Sequence, residues 1–421
     1  MAATPQPVIP VGGLFAGKSW LSSPEPFPLS AKEVGEIQRL GHRLQVFLTA
    51  ANSIYHRSVK GKLPEWIAAY LDAGKPPELL EAARASSLRE ALPSVIRPDL
   101  ILTEEGFSLT EIDSVPGGIG LTGWLNEIYS SWDVVGGPTG MIDGFGSLFP
   151  NGADILVSQE AGDYAPEMNW LRDKLGAGFS VEVAETYRPR GRDVYRFFEL
   201  FDLPNIRHWQ ELAASGVRIT APMKPWLEEK MWLALFWSRP LRELWRRELR
   251  ENHRDALTKV IPRSWIVDPS PIPHHAVIPK LDISSWSELG DFSQRERELV
   301  LKLSGFSERA WGSRSVVIGH DVSQDQWRNA LSGAMESFKT NPYVLQEFHK
   351  GKLVRHPFYD RQTGEVREME GRVRLCPYFF APPRSKEIAL GGILATICPA
   401  DKKIIHGMED AIIVPCRIAA D

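Results

Sequence analysis

Between Arg97 and Gly120 the chain reads RPDLILTEEGFSLTEIDSVPGGIG. Two β-rich runs, LILT and FSLTEID, flank Glu104-Glu105-Gly106, which predicts a tight hairpin. Glu111 and Asp113 are two residues apart, so on a strand both project from one face. Asp99, on the partner strand, joins them if the register sets it opposite. Three carboxylates with Arg97 beside them suit a magnesium ion that holds phosphate oxygens. Solvated charges at strand ends are the alternative. The next segment, Ser114-Val115-Pro116-Gly117-Gly118-Ile119-Gly120, is small enough to bring backbone amides against a ligand.

The order R-x-D, then E-x-D twelve residues on from Asp99, then a small-residue turn with proline, resembles the circularly permuted ATP-grasp ligases. The glutathionylspermidine synthetase-like group is the nearest in pattern, roughly R-x-D…E-x-N-x-D-x-P. One departure is plain: Asp113 stands where that group has Asn, which keeps an oxygen ligand and adds a negative charge. The resemblance implies an α/β (α+β) fold, ATP-grasp-like and circularly permuted. It also implies ATP and Mg²⁺ as cofactors, Asp99, Glu111 and Asp113 as metal ligands, and Arg97 as the catalytic, charge-stabilising group. Ser114, Gly117 and Gly118 would touch the acyl substrate.

Composition narrows the classes. The chain has 421 residues, 43% apolar and 24% charged, enough for two or three lobes with a sizeable core. Its net charge of −4 gives no electrostatic case for nucleic acid or an anionic membrane. Cys376, Cys398 and Cys416 are too few and too spread for a disulfide framework or a four-thiolate zinc site. No basic segment followed by an apolar one opens the chain, and apolar runs such as MWLALFW are too short to span a bilayer. A cytoplasmic protein is the expectation.

Gly12-Gly13-Leu14-Phe15-Ala16-Gly17-Lys18-Ser19 matches the P-loop formula, but that motif needs a helix to follow it. Pro24, Pro26 and Pro28 leave no room for one, so the match is read as a coincidence. Ser30 and Glu33 form a capping box ahead of apolar residues at helical spacing (Val34, Ile37, Leu40, Leu44, Phe47, Leu48). Further helices are expected at 65–71, 78–91 and 122–130. Gly and Pro crowd residues 136–152, a boundary signal. Beyond it ADILVS, EMNWLRDKLG, FSVEVAE and VYRFFELFDL alternate strand and helix signals, as a small βαβ-type lobe would. No dinucleotide fingerprint accompanies it. Residues 225–257 read as a long helical region, in which EEKMWLALFW resembles the family's N-K-(apolar)-L-W segment; by that resemblance Lys230 lies near nucleotide phosphates.

From Ser264 onward strand signals dominate. Lys302 lies on an alternating strand that runs into Ser304-Gly305 and on to Gly312-Ser313, and a strand lysine beside a small-residue loop can contact phosphates. This resembles the ATP-grasp lysine and its phosphate-covering loop. NPYVLQEFHKG resembles the adenine hinge, with Gln346, Glu347 and Phe348 at its end. Arg372 and Arg374 share a strand face, as either ligand or surface groups. His274-His275 and His406 lack the partners that would argue for zinc or a catalytic base.

Three portions are expected: 1–135, a helical segment plus the metal-binding hairpin; 150–222, a Rossmann-like lobe; and 223–421, the nucleotide-binding portion. The resemblance implies an ATP- and Mg²⁺-dependent carboxylate–amine ligase working through an acyl phosphate, with small-molecule or peptide substrates. The alternatives are a phosphotransferase on the same fold and a catalytically inactive nucleotide-binding scaffold.

Overall fold

Ser30 opens the first long helix as its sequence asks. Its backbone N–H donates to Glu33 Oε2 at 2.8 Å and its hydroxyl accepts from the Glu33 N–H at 3.2 Å, a closed capping box. The helix Ala31–Val59 then buries Val34, Ile37, Leu40, Leu44, Phe47, Leu48 and Ile54 along one stripe. The computed structural model describes residues 20–273, 276–310, 314–383, 387–405 and 410–419. The P-loop look-alike at Gly12–Ser19, His274-His275, Gly312-Ser313 and His406 all lie outside the described residues.

The chain divides into two compact units. Met1–Val46, Ser87–Met223 and Gly351–Asp421 form the first, and Phe47–Ser86 with Lys224–Lys350 form the second. In the first, seven strands make one sheet: β1 (Phe27–Leu29), β2 (Val95–Thr103), β3 (Gly106–Asp113), β12 (Val354–Tyr359), β13 (Val366–Phe380), β14 (Ala389–Pro399) and β15 (Ile412–Ile418). Their order is β1-β15-β14-β13-β2-β3, with β12 also paired to β13. Among the described residues, β1–β15 is the one parallel pairing between its named strands.

The same unit carries the expected βαβ-type lobe. Its strands β4 (Ala153–Val157), β5 (Phe179–Val183), β6 (Val194–Phe197) and β7 (Ile219–Thr220) are all parallel, in the order β5-β4-β6-β7. β4 is buried throughout, as a strand covered on both faces must be.

The second unit is built on an antiparallel sheet, β10-β9-β11-β8, from β8 (Ser264–Ile266), β9 (Leu299–Leu303), β10 (Val317–Ile318) and β11 (Tyr343–Glu347). Leu301, Leu303 and Leu345 meet Trp286, Trp327 and Leu331 in its core. The helical region expected over 225–257 is real but broken. Helices Met231–Trp237, Arg242–Glu248 and Glu251–Val260 alternate with single turns at Pro225–Glu228 and Arg239–Leu241. Pro240 cannot continue a helix from the preceding turn, which accounts for the second break.

The expected 223–421 portion ends as a compact body at Lys350. The cause is strand pairing: β13 lies against β2, with Arg374 opposite Ile101 and Leu375 opposite Leu100. The C-terminal strands therefore complete the hairpin's sheet. Among the described residues no helix is long and apolar enough to cross a membrane.

His356 gives this fold an acid-sensitive point. It is 1% exposed, and its Nε2 lies 3.1 Å from the hydroxyl of buried Ser23. Burial lowers its pKa from 6.5 to about 4. Between those pH values the unfolded chain takes up a proton that the folded chain refuses. Stability from this group is therefore complete above pH 6.5 and declines as pH falls towards 4, by about 3 kcal/mol. His356→Gln should lose that part of the acid slope in urea midpoints measured from pH 7 to pH 4. An unchanged slope would show that His356 titrates normally.

Candidate functional site

The hairpin's turn and its later register disagree by one residue, and this brings the polar groups together. At the turn Thr103 pairs with Gly106 and Leu102 with Phe107, and on this register Asp99 would face Thr110. Instead Asp99 pairs with Glu111 and Arg97 with Asp113, the shift falling between Asp99 and Leu100. Thr110 is the extra residue of a β-bulge, and its hydroxyl donates to the Asp99 carbonyl at 3.1 Å. A one-residue shift exchanges the faces of every later side chain. Glu111 and Asp113 are thereby set on the same face as Arg97 and Asp99.

β13 extends that face. Arg374 Nη1 donates to Asp99 Oδ2 at 3.1 Å, and Arg97 Nε donates to Asp99 Oδ1 at 3.0 Å. Arg97 also reaches Asp113 Oδ2 at 3.0 Å and the Gly117 carbonyl at 3.2 Å. The other Asp113 oxygen accepts the Val115 N–H at 2.8 Å. Asp99 is 3% exposed. Burial alone would lower the Arg97 guanidinium, but Asp99 and Asp113 outweigh it and hold its pKa well above the ordinary value. Burial raises Asp113, and the neighbouring Glu111 raises it further against the pull of Arg97. The Cys376 thiol, 3.5 Å from Asp99, is pushed up to about 12 by burial and by that carboxylate. It stays a protonated donor.

The turn after β3 is locked against this face. Gly118 has φ +91°, and a Cβ there would fall 2.3 Å from the Tyr378 hydroxyl; glycine alone fits both conditions. Tyr378 donates to the Gly117 carbonyl at 2.8 Å. Glu167, 2% exposed on the helix Ala165–Leu175, accepts from the Gly118 N–H at 2.7 Å and the Leu121 N–H at 3.0 Å. Its carboxylate thus caps the positive end of the helix Ile119–Ile128. Ser114 is buried beside these groups in sequence.

Magnesium is what the resemblance implies here, and the arrangement does not fit it. Both oxygens of Asp99 face guanidinium groups, and both oxygens of Asp113 are taken up. Among the described residues no three His, Cys, Asp or Glu side chains converge to hold a metal ion. Where the sequence suggested a cation cradle, the structure has an ion-pair cluster of Arg97, Asp99, Asp113 and Arg374, with Glu111 alongside. Arg372, on the same strand face as Arg374, instead donates to the carbonyls of Gly351 and Ala400.

The second unit brings together the other expected residues. Lys302 on β9 is 6% exposed and donates to Gln346 Oε1 at 2.8 Å; Gln346 in turn reaches the Ser264 hydroxyl at 3.2 Å. Ser304 and Gly305 end that strand against Glu228–Met231. Lys230 N–H donates to the Ser304 carbonyl and Met231 N–H to its hydroxyl, both at 2.9 Å. At the expected hinge two backbone donors are engaged. Glu347 N–H donates to the Arg263 carbonyl at 2.8 Å and Phe348 N–H to that of Glu298 at 3.0 Å, so these two donors already have partners. His349 holds the Glu347 carboxyl below its usual range, with Arg263 adding to the effect. Sequence reasoning missed Glu167, Tyr378 and the link from Arg374 to Asp99. Buried carboxylates in helices carry no local signal, and the Arg374 pairing spans 275 residues.

Asp99→Ala leaves two largely buried arginines without their shared carboxylate. It should destabilise the fold by about 3 kcal/mol, read from urea denaturation with an unchanged slope. A loss below about 0.5 kcal/mol would show that the cluster holds little. Mg²⁺ without nucleotide should leave the melting temperature of the wild type unmoved; a rise of several degrees would restore the cation reading.

No protein-family profile and no curated protein sequence matches the chain. Among solved structures it is similar to a glutathione synthetase-like effector from Globodera pallida in apo form, with a TM-score of 0.59 and 10% identity over 95% of this chain and 90% of that one. It is also similar, with a TM-score of 0.41 and 11% identity over 82% of this chain and 85% of the other, to a protein provisionally named gamma-glutamylcysteine synthetase from Methylobacillus flagellatus. At such identities the likeness is one of fold. The chain has a mixed α+β, ATP-grasp-like fold, shared with a glutathione synthetase-like structure over nearly its whole length.

Proposed function

We propose that this protein is an ATP-dependent ligase that joins a carboxylate to an amine. The observation that carries the reading is Lys302: a buried lysine, held by Gln346 on an antiparallel sheet, in a fold shared with a glutathione synthetase-like protein. A buried lysine with an amide partner is well placed to exchange that partner for a phosphate oxygen.

In the proposed reaction, ATP enters as its magnesium complex. An oxygen of the substrate carboxylate attacks the γ-phosphorus, the bond to the β,γ-bridging oxygen breaks, and ADP leaves. The amine nitrogen then attacks the acyl carbon, phosphate departs with the former bond electrons, and the nitrogen loses a proton to solvent. Such chemistry asks the protein mainly to position reactants and to stabilise spreading negative charge. Lys302 and Lys230 are assigned to phosphate oxygens, with Ser304 and Gly305 beside them. Gln346, Glu347 and Phe348 are assigned to the base. Arg97 is assigned to charge stabilisation, and the turn of Ser114, Gly117 and Gly118 to the acyl group. The substrates are of the small-molecule or peptide class. No step is routed through a resident metal at Asp99, Glu111 and Asp113, because the oxygens of Asp99 and Asp113 are arranged on arginines and a backbone amide.

One observation favours a second reading, a nucleotide-binding scaffold without ligase activity. Arg97 is fully engaged by Asp99, Asp113 and Gly117, and an arginine so held has to exchange partners before it acts on a substrate.

Lys302→Met keeps the length of the side chain and removes its charge. The variant should melt within a few degrees of wild type and release phosphate from ATP at least about 100-fold more slowly, when carboxylate–amine pairs are screened with both proteins. Equal turnover by a folded Lys302→Met protein would remove Lys302 from the reaction. No phosphate release by the wild type with any pair, together with intact ATP binding, would favour the scaffold.

A further inference from the structure

A second polar structure in the Phe47–Ser86 and Lys224–Lys350 unit has no counterpart in the sequence reading. Lys75 Nζ lies 2.5 Å from Glu229 Oε1, and both side chains are 1% exposed. Taking two charges out of water is costly, and an apolar pair of similar volume is often as stable. Stability is therefore a weak reason for this pair to exist. Its surroundings suggest a stronger one.

The second oxygen of Glu229 accepts the Ser304 hydroxyl. That hydroxyl accepts the Met231 N–H at 2.9 Å, while the Ser304 carbonyl takes the Lys230 N–H at 2.9 Å and the Ser304 N–H donates to the Pro342 carbonyl at 3.0 Å. Four bonds thus fix one serine. Ser304 follows Lys302 by two residues, immediately beyond the end of β9 at Leu303. A Cβ on Gly305 would approach both the Glu228 carbonyl and the Glu229 carboxylate to 3.0 Å. Lys75 is itself held in place: Gly74 has φ +73°, and a Cβ there would meet the Thr340 carbonyl at 1.9 Å. Its ammonium also lies 5.5 Å from the centre of the Phe306 ring.

We propose that Glu229, anchored by Lys75, is a positioning residue that fixes the spacing of Lys230 and Lys302 through Ser304. The inference rests on the assignment of those two lysines to nucleotide phosphates. Two cations that serve one polyphosphate repel each other until it binds, so their separation has to be imposed by the scaffold. The Lys75–Glu229 pair imposes it while adding no net charge. A hydrogen-bonded neutral frame would do the same work less rigidly, since bonds to charged groups are the stronger ones.

Two variants test this. The first, Lys75→Met with Glu229→Leu, replaces the pair by apolar volume and should melt within a few degrees of wild type. The second, Glu229→Asp, keeps a carboxylate as partner for Lys75 and withdraws it from Ser304, which protects the test if the double variant folds poorly. Each is titrated with Mg·ATP by calorimetry, and amide exchange is followed at Lys230 and Met231. The expected result is binding weakened by about tenfold or more and faster exchange at both amides. Conservative Ser304→Thr, which retains the hydroxyl, should bind more tightly than Glu229→Asp. Wild-type affinity in a folded variant overturns the positioning role alone. Failure of the wild type to bind Mg·ATP overturns the functional reading on which the role rests.

Discussion

Asp99 is the group on which the first unit's polar face depends. It stands on β2 between β3 and β13 and accepts from Arg97 on its own strand and Arg374 on the next. Two guanidinium groups held so close would repel each other strongly without it. The same face carries Glu111 and Asp113, so three carboxylates meet two arginines in a largely buried setting. Burial and Glu111 raise the Asp113 carboxyl, while Asp99 and Asp113 raise Arg97. The opposite charges compensate one another, and the loss of one exposes its partners to the cost of burial. The Gly117–Gly118 turn inherits its geometry from this cluster, because Arg97 and Tyr378 both end on the Gly117 carbonyl.

The hairpin, the capping box at Ser30 and the βαβ-type lobe were legible because they rest on short-range pattern. Alternation, turn residues and capping signals act over a few positions. The bulge at Thr110 was not, although the expected face depended on it. The turn by itself sets Asp99 opposite Thr110, and only the extra residue moves Glu111 into place. Nothing in FSLTEID announces that residue. The arginines illustrate the same limit. Arg372 and Arg374 look alike in sequence, yet one ends on backbone carbonyls and the other on Asp99. The C-terminal strands joined the hairpin's sheet for a similar reason: the pairing of β13 with β2 is a contact between distant segments that no local signal encodes.

The second unit shows what a resemblance carries and what it leaves out. Lys302 meets Gln346, and Ser304 and Gly305 follow directly on the end of β9. The groups that hold them come from elsewhere. Lys75 and Glu229 carry no sequence signal of their pairing, which spans 154 residues. Buried frames of this kind are built from residues whose role is visible only once their partners are known. The magnesium reading shows the converse. Residue types and spacing suited a cation, but the oxygens of Asp99 and Asp113 meet arginines and a backbone amide instead.

The proposed function requires this fold to bind and consume ATP. Calorimetric titration of ATP into the wild-type protein, with and without Mg²⁺, tests it most directly. The account predicts saturable binding at one site that is stronger with Mg²⁺ present. A folded protein that takes up no ATP under either condition would contradict it.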